Sequence, residues 1–172
     1  MKPINNLQDL LLEQLKDCYD SELQQIEAFP QLMEKSQSLQ LKNAIKLSLE
    51  KSEIHLKRLE RMLSKMGIIT VEEICEGTLG TMNEIWTLMS RITDKNVLDA
   101  AIITCVQHIH HHDIAGYGTI CAFAKALGNF EMASTIHEML EEEKNIDKML
   151  TDMAIESINF KARDKDFMEA TI

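Results

Sequence analysis

The sequence predicts an all-α protein built as a four-helix bundle, and three observations support that fold class. Its 172 residues include only six glycines and two prolines, and leucine, isoleucine, glutamate, lysine and glutamine are abundant, a composition that favours helices. Apolar residues recur at three- and four-residue steps along four long stretches, as expected for helices that bury one face. The two inner stretches are separated by a longer, irregular segment, which indicates two helix pairs joined by a crossover.

The first two predicted helices form one antiparallel pair. The first helix covers residues 6–36 and contains Pro30, a residue type that often kinks helices. The serines of the segment SQSLQ that follows suit the amino-terminal cap of a second helix. That helix continues to Met66, and Gly67 ends it at the position where a left-handed residue is commonly needed.

The second pair follows a long connection. Residues 68–94 predict a crossover that runs the height of the bundle, with a short amphipathic helix near residues 82–92. A third helix is predicted over residues 96–127 and a fourth over residues 130–160. The segment LGN between them is a tight stop.

Two antiparallel pairs joined by one long crossover are the connectivity of ferritin-like bundles. The chain is most economically a single domain of this kind over residues 1–160. Residues 161–172 have lost apolar periodicity, and we expect a frayed tail there.

The charge balance favours metal cations over polyanions as ligands. The formal net charge is −10, with 28 acidic and 18 basic residues. A nucleic-acid-binding protein needs a basic footprint, and the sequence has no long basic run, so no nucleic-acid partner is expected. A glycine-rich phosphate loop and a nucleophile elbow are also missing from the sequence, which disfavours phosphate binding and nucleophilic hydrolysis.

The cysteines and the amino-terminal segment predict a cytoplasmic protein. The four cysteines show no C-x-x-C spacing and lie in apolar neighbourhoods, a pattern typical of reduced, buried thiols inside cells. The first residues lack the features of a signal peptide. No stretch approaches the roughly 18 apolar residues that a membrane-spanning helix needs, so we expect no membrane association.

Several acidic residues fall on the apolar faces of the predicted helices. A rotation of about 100° per residue places Glu22 in the middle of the apolar stripe of the first helix. Asp113 lies in the apolar line of the third helix, and Glu143 and Asp147 continue that of the fourth.

Four of the six histidines lie in the segment QHIHHHDIAGYG, and they cannot all face one way. His110 is on the inward flank, whereas His111 points away from the core. His108 lies off the apolar face, and His112 lies on the opposite flank. On the second helix, His55 is at the edge of the apolar stripe, so His110 and His55 are the expected inward histidines.

A buried carboxylate is costly unless it is paired, protonated or bound to a cation. For a single inward acid, a position near a water-filled end of the bundle is the simpler interpretation. The four acids Glu22, Asp113, Glu143 and Asp147 together, in this connectivity, favour an ancestral or working metal site.

Six short segments together are typical of one known family: YDSE (19–22), AFP (28–30), RLE (58–60), DAAIITCVQ (99–107), DIAGYGT (113–119) and LEEEKNIDKML (140–150). Over nearly its whole length the chain resembles the YciF-type family of bacterial ferritin-like stress proteins. The resemblance implies a ferritin-like fold, usually dimeric, with a carboxylate-rich metal site inside the bundle. It also implies a link to stress, without specifying a reaction.

The resemblance also implies site residues. Glu22 matches the first-helix acid of the family, and Glu143 with Asp147 matches its fourth-helix acids. Asp113 stands where the family commonly has glutamate, and His110 replaces an acid of the pattern Q-x-x-E-H-x-E.

The second helix departs from the family pattern. The segment LEKSEIH (49–55) stands against L-E-E-T-x-x-Q/H. Lys51 therefore replaces an acid, and His55 keeps the polar position.

The first functional hypothesis is a metal-binding, ferritin-like stress protein. A di-iron or di-manganese site takes about four carboxylates and two imidazoles. The predicted ligand set is Glu22, His55, His110, Asp113, Glu143 and Asp147. Because the ammonium of Lys51 would repel a second divalent cation, we expect at most one tightly bound iron or manganese ion per chain, or none.

The second hypothesis is a non-enzymatic helical dimer that has lost the di-metal site and acts through protein contacts. Lys51 or a histidinium would then neutralise the inward carboxylates. A homodimer is expected from the resemblance and from apolar residues of the crossover: Ile85, Trp86, Leu88 and Met89. Metal-dependent peroxide or oxygen chemistry is compatible with the first hypothesis, but the sequence specifies no reaction.

Overall fold

Helices form the regular structure of the protein. The computed structural model describes residues 3–163, and no β-strand occurs within that range, which confirms the predicted all-α class. The helices are α1 (Leu7–Lys35), α2 (Leu39–Lys65), α3 (Glu76–Met89), α4 (Lys95–Ala126), α5 (Phe130–Met153) and α6 (Asn159–Ala162), with a π-helical turn (Ala154–Ile158) before α6. The predicted frayed tail begins inside α6, and its residues 164–172 lie outside the described range.

The ends of the first two helices follow from local chemistry. The side chain of Asn6 caps α1 by accepting a backbone N–H, and Pro30 lies inside this helix without ending it. Ser38 caps α2, with its hydroxyl 3.3 Å from the N–H of Leu41. Gly67 has a φ of +81°, which confirms the left-handed end predicted for α2.

Two apolar cores lie at different heights along the long helices. The first, called the Phe29 core, includes Phe29, Ile45, Ile102 and Leu150. The second, called the Leu15 core, includes Leu15, Leu59, Ile120 and Ile136. In chain order, α1 and α5 run from the Leu15 core to the Phe29 core, while α2 and α4 run the opposite way. The pairs α1–α2 and α4–α5 are therefore antiparallel and pack along their lengths.

The connection between α2 and α4 returns the chain from one core to the other. Its first part places Ile68 and Val71 against the Leu15 core. Its helix α3 then packs Met82, Ile85 and Met89 into the Phe29 core. Helix α3 covers part of the amphipathic segment predicted in the crossover but begins earlier, and it lies against α4 and α1.

The burial of the cysteines agrees with their apolar neighbourhoods in the sequence. All four cysteines are buried and unpaired: Cys18, Cys75, Cys105 and Cys121. Within residues 3–163, no helix combines the length and the apolar character that crossing a membrane requires.

Candidate metal centre

A layer of buried polar residues separates the two cores. On each long helix it lies between residues of the Leu15 core and residues of the Phe29 core. Five predicted site residues belong to it, each at most 2% exposed: Glu22, His55, His110, Asp113 and Glu143. Their position between two closed cores excludes the simpler interpretation that these acids lie near a water-filled end of the bundle.

His55 lies between two carboxylates of this layer. Its Nδ1 is 3.1 Å from Glu22 Oε1 and 3.1 Å from Glu143 Oε1; we call these three residues the His55 cluster. Burial lowers the pKa of His55, but hydrogen bonds to Glu143 and Glu22 outweigh burial and raise it to about 10. With a proton on Nδ1, His55 is therefore a cation at neutral pH.

Glu142 holds the ring of His55 from the opposite side. His55 Nε2 donates to Glu142 Oε2 at 2.7 Å, and Lys51 Nζ donates to Glu142 Oε1 at 2.8 Å. A carboxylate that accepts from one imidazole nitrogen fixes the ring so that the other nitrogen can bind a metal. Lys51 thus neutralises this outer carboxylate rather than the inner pair.

His110 reaches the same layer from α4. Its Nδ1 donates to Glu143 Oε2, and its Nε2 is 3.0 Å from Ser48 Oγ. Burial raises the pKa of Glu143, but the electrostatic interaction and hydrogen bond with His110, together with the hydrogen bond of His55, lower it to about 2. Glu143 is consequently ionised and contacts one histidine with each oxygen.

Glu22 has one paired and one unpaired oxygen. Its Oε1 accepts hydrogen bonds from the hydroxyl of Tyr117 and from His55 Nδ1. Its Oε2 is buried and has no hydrogen-bond partner. A buried carboxylate oxygen without a hydrogen-bond partner costs free energy, and coordination of a cation would satisfy it.

Asp113 lies in the polar layer but outside the His55 cluster. Its Oδ1 accepts from Ser21 Oγ at 3.0 Å, and its Oδ2 accepts from Gln25 Nε2 at 2.7 Å. Burial and the negative charges of Glu22 and Glu143 raise the pKa of Asp113 well above its usual range. Asp113 therefore takes up a proton more readily than an exposed aspartate, and both of its hydrogen-bond partners are neutral side chains.

Asp147 lies apart from the His55 cluster. Its carboxylate is half-buried on the side of the bundle, where Oδ1 accepts from Gln107 Nε2 at 3.0 Å and lies 3.4 Å from His111 Nε2. The structure thus brings five of the six predicted ligands into one layer and leaves Asp147 at its edge, paired with residues of α4.

The histidine run divides as its helical spacing predicts. His110 is buried, whereas His108 and His111 are exposed and His112 is half-buried. His112 nevertheless has specific partners, since its Nε2 is 3.3 Å from Cys75 Sγ and 3.5 Å from Asp17 Oδ2.

The sequence pattern did not predict two residues of the centre, Glu142 and Ser48. Glu142 falls outside the apolar stripe of α5, yet its side chain reaches back to His55. Ser48 lies on the buried face of α2 between Ile45 and Ser52. A small polar residue on an apolar face could have indicated its place in the centre.

The His55 cluster fits a six-coordinate cation. Metal–ligand bonds of about 2.1 Å place adjacent ligands of an octahedron about 3.0 Å apart. The two observed nitrogen–oxygen distances are 3.1 Å. Imidazole and carboxylate ligands suit iron and manganese, and an ion bound here would replace the proton on His55 Nδ1.

The fold and this layer define an all-helical protein with a buried histidine–carboxylate cluster between two apolar cores. The chain belongs to the family described as "Domain of unknown function (DUF892)", whose model matches residues 6–163. It is 29% identical over 163 residues to Protein YciF of Escherichia coli (strain K12), with 94% of this chain and 98% of that protein covered.

Solved structures agree with this family. The crystal structure of the E. coli stress protein YciF matches with a TM-score of 0.83 and 29% identity, covering 91% of this chain and 99% of that one. YcfI from Rhodopseudomonas palustris, described provisionally as a structural protein, matches with a TM-score of 0.83 and 32% identity, covering 87% of this chain and 96% of that one. The resemblance to YciF-type proteins is therefore confirmed.

Proposed function

We propose that this chain is a ferritin-like, metal-binding protein of the bacterial stress response that holds one iron or manganese ion inside its bundle. The observation that carries the proposal is the buried, unpaired Oε2 of Glu22. It belongs to a carboxylate whose other oxygen is 3.1 Å from His55 Nδ1. The proposed stress role rests on the E. coli relative, which is described as a stress protein.

The helix directions support a ferritin-like bundle. Two antiparallel pairs are joined by a connection that travels from the Leu15 core to the Phe29 core, and α3 is the helix of that crossover. This connectivity brings four helices around one polar layer, as in carboxylate-bridged metal proteins.

In this proposal, Glu22, His55 and Glu143 bind the ion directly. Glu142 orients His55 through Nε2, and His110 orients Glu143 and supplies the second imidazole of the layer. A bound iron or manganese ion would supply redox or Lewis-acid chemistry, with the two apolar cores keeping bulk water out.

Tyr117 would position Glu22 rather than react at neutral pH. Burial and the negative charges of Glu22 and Asp113 raise the pKa of the Tyr117 hydroxyl well above its usual range. The hydroxyl therefore stays protonated and donates to Glu22 Oε1.

The surroundings favour one ion over two. Both oxygens of Asp113 already accept hydrogen bonds from Ser21 and Gln25. Lys51 sits 2.8 Å from Glu142, and its positive charge disfavours a second cation beside His55.

The alternative function is a non-enzymatic helical dimer without a metal. The pKa of about 10 for His55 favours this alternative, because a histidinium between Glu22 and Glu143 already offsets part of their negative charge. The provisional description of the R. palustris relative as a structural protein points the same way.

Either function is proposed for a cytoplasmic homodimer. Ile85 and Met89 are buried within their own chain, so fewer apolar residues of α3 are available for contacts than the sequence suggested. Leu88 is 41% exposed and Trp86 is half-buried. Light scattering at micromolar concentration that gives a dimer mass would support this state, and a monomer mass would contradict it.

Metal analysis of purified protein distinguishes the two functions. The protein should be made without a histidine tag, in cells supplemented with manganese or iron, and assayed by elemental mass spectrometry. The proposal expects close to one ion per chain in the parent and in His111→Ala, and a clear loss in His110→Ala and Glu22→Gln. Parent protein without bound iron or manganese would support the alternative, and two iron or manganese ions per chain would contradict the single-ion proposal.

A further inference from the structure

A second group of ligand-type side chains lies on the outer side of the bundle. Asp17 of α1, Cys75 at the start of α3 and His112 of α4 place one oxygen, one sulfur and one nitrogen within 4.8 Å of one another. Cys75 is fully buried, whereas Asp17 and His112 have side chains that are 38% and 31% exposed. The group is separate from the His55 cluster and shares no residue with it.

The backbone around Cys75 is fastened to α1. The N–H of Cys75 donates to Asp20 Oδ2 at 2.7 Å, and its carbonyl accepts from Gln24 Nε2 at 3.1 Å. These bonds fix the connection against α1 one and two turns beyond Asp17. The thiol of Cys75 is thereby held toward His112.

The geometry around His112 is convergent. The same nitrogen, Nε2, is 3.3 Å from Cys75 Sγ and 3.5 Å from Asp17 Oδ2. In a catalytic relay of nucleophile, histidine and acid, the two partners lie on opposite ring nitrogens. Three donor atoms facing one point are instead the arrangement of a metal site.

The distances match a tetrahedral cation. Bonds of about 2.3 Å to sulfur and about 2.0 Å to nitrogen or oxygen separate tetrahedral ligands by about 3.3 to 3.5 Å. The observed sulfur–nitrogen distance of 3.3 Å and nitrogen–oxygen distance of 3.5 Å each differ by about 0.2 Å from the roughly 3.5 and 3.3 Å that these bonds give. One thiolate, one imidazole and one carboxylate suit a borderline-soft ion such as zinc.

We propose that Asp17, Cys75 and His112 form a binding site for one zinc ion, independent of the metal proposed at the His55 cluster. The partial exposure of Asp17 and His112 gives the ion a route from solvent and leaves a fourth position for water. Because the ligands come from α1, α4 and the connection, the ion would tie the crossover to the bundle.

Gly77 provides the room that this site needs. A Cβ placed at this position would lie 3.1 Å from His112 Cε1 and 3.3 Å from its Nδ1. These contacts are tighter than normal packing, so a side chain there would push the imidazole from its place. A Gly77→Ala substitution should therefore weaken zinc binding without removing a ligand.

Cobalt(II) added to the metal-free full-length protein tests the proposal through absorption spectra. A tetrahedral cobalt–thiolate site gives a charge-transfer band in the near ultraviolet, which the thiol-free His55 cluster cannot produce. Zinc should abolish the band by displacing cobalt. The band should be lost in Cys75→Ser, and cobalt affinity should fall by at least about tenfold in His112→Ala.

Matched controls separate ligand loss from misfolding. His111→Ala and Cys105→Ser should keep the band, as should Glu22→Gln, which would impair only the buried centre. Circular dichroism should show unchanged helix content in His112→Ala, an exposed-side variant that leaves the core intact. A parent protein without the band, or undiminished affinity in His112→Ala, would overturn the zinc site and leave the proposal for the His55 cluster untouched.

Discussion

Two buried carboxylates of this protein, Asp99 and Glu22, have opposite surroundings. Asp99 is 3% exposed, and it accepts from Ser36 Oγ at 2.7 Å and from the N–H groups of Gln37 and Ser38, each at 3.1 Å. Both its oxygens are satisfied by neutral donors at the start of α2, where a helix favours negative charge.

Glu22 is as deeply buried but meets different groups. One oxygen contacts His55 and Tyr117, and the other contacts no donor. The contrast with Asp99 teaches that burial of a carboxylate does not by itself mark a functional site. Asp99 has only neutral donors and both its oxygens are satisfied, which is enough for a structural role. Glu22, with an imidazole and an unpaired oxygen, is the acid for which we propose a bound cation.

The largest effect should follow from removing the positive charge of His55. In metal-free protein, His55→Ala leaves Glu22 and Glu143 buried without the charge between them, and the free energy of unfolding should fall by about 3–5 kcal/mol. Urea denaturation in the presence of a chelator measures this loss, with His111→Ala as the control expected near zero. A loss below about 1 kcal/mol would mean that water already screens these carboxylates.

Asp99→Asn should have a smaller effect that does not depend on metal. The asparagine side chain has nearly the same shape, but its NH₂ group cannot accept the hydrogen bonds that one carboxylate oxygen of Asp99 accepts. The free energy of unfolding should therefore fall by about 2 kcal/mol. Denaturation with and without manganese should give the same loss. A loss that changes with manganese would connect Asp99 to the centre and remove the contrast between the two carboxylates.

Alkaline and acidic pH should each lower the free energy of unfolding, through different residues of the His55 cluster. The folded pKa of His55 is about 10 against an ordinary 6.5, so its stabilisation is complete below pH 6.5 and is lost as pH rises toward 10. For metal-free protein, the slope should reach about −1.4 kcal/mol per pH unit for this one proton.

Glu143 should act in the opposite direction. Its folded pKa is about 2 against an ordinary 4.5, so its stabilisation is present above pH 4.5 and is lost as pH falls toward 2. Denaturation midpoints measured across pH check both limbs. His55→Gln should flatten the alkaline limb and leave the part due to His112, whose pKa the hydrogen bonds of Asp17 and Cys75 raise to about 10. An alkaline limb unchanged in His55→Gln would show that His55 is not the proton carrier.

The smallest effect should follow from Asp147→Asn. Its carboxylate is half-buried and accepts from Gln107, a bond that an amide oxygen can keep, so the free energy of unfolding should change by less than about 0.5 kcal/mol. Metal content by elemental mass spectrometry should also stay at the parent value. A clear loss of metal would return Asp147 to the ligand set and extend the centre beyond the polar layer.

Helical periodicity predicts much of the fold and part of the candidate metal centre. It separates the buried His110 from the exposed His111, because one residue turns the helix by about 100°. It cannot separate Asp147 from Glu143, because their directions on α5 differ by only about 40°. That small difference is enough for Glu143 to point into the bundle and for Asp147 to point toward the neighbouring helix α4. Periodicity also fails to predict the contacts of long side chains. Glu142 lies outside the apolar stripe of α5, and its side chain still reaches His55.

The sequence by itself determined the all-α class, the long helices with a serine cap before the second and the Gly67 end, and the inward faces that hold Glu22 and Glu143. These features depend on residues close together in the chain. Only the tertiary structure decided which donors each buried acid meets: Ser21 and Gln25 at Asp113, His55 at Glu22, and Cys75 at His112. The physical reason is that these partners come from different helices, so their contacts depend on packing distances and side-chain reach that no local pattern encodes.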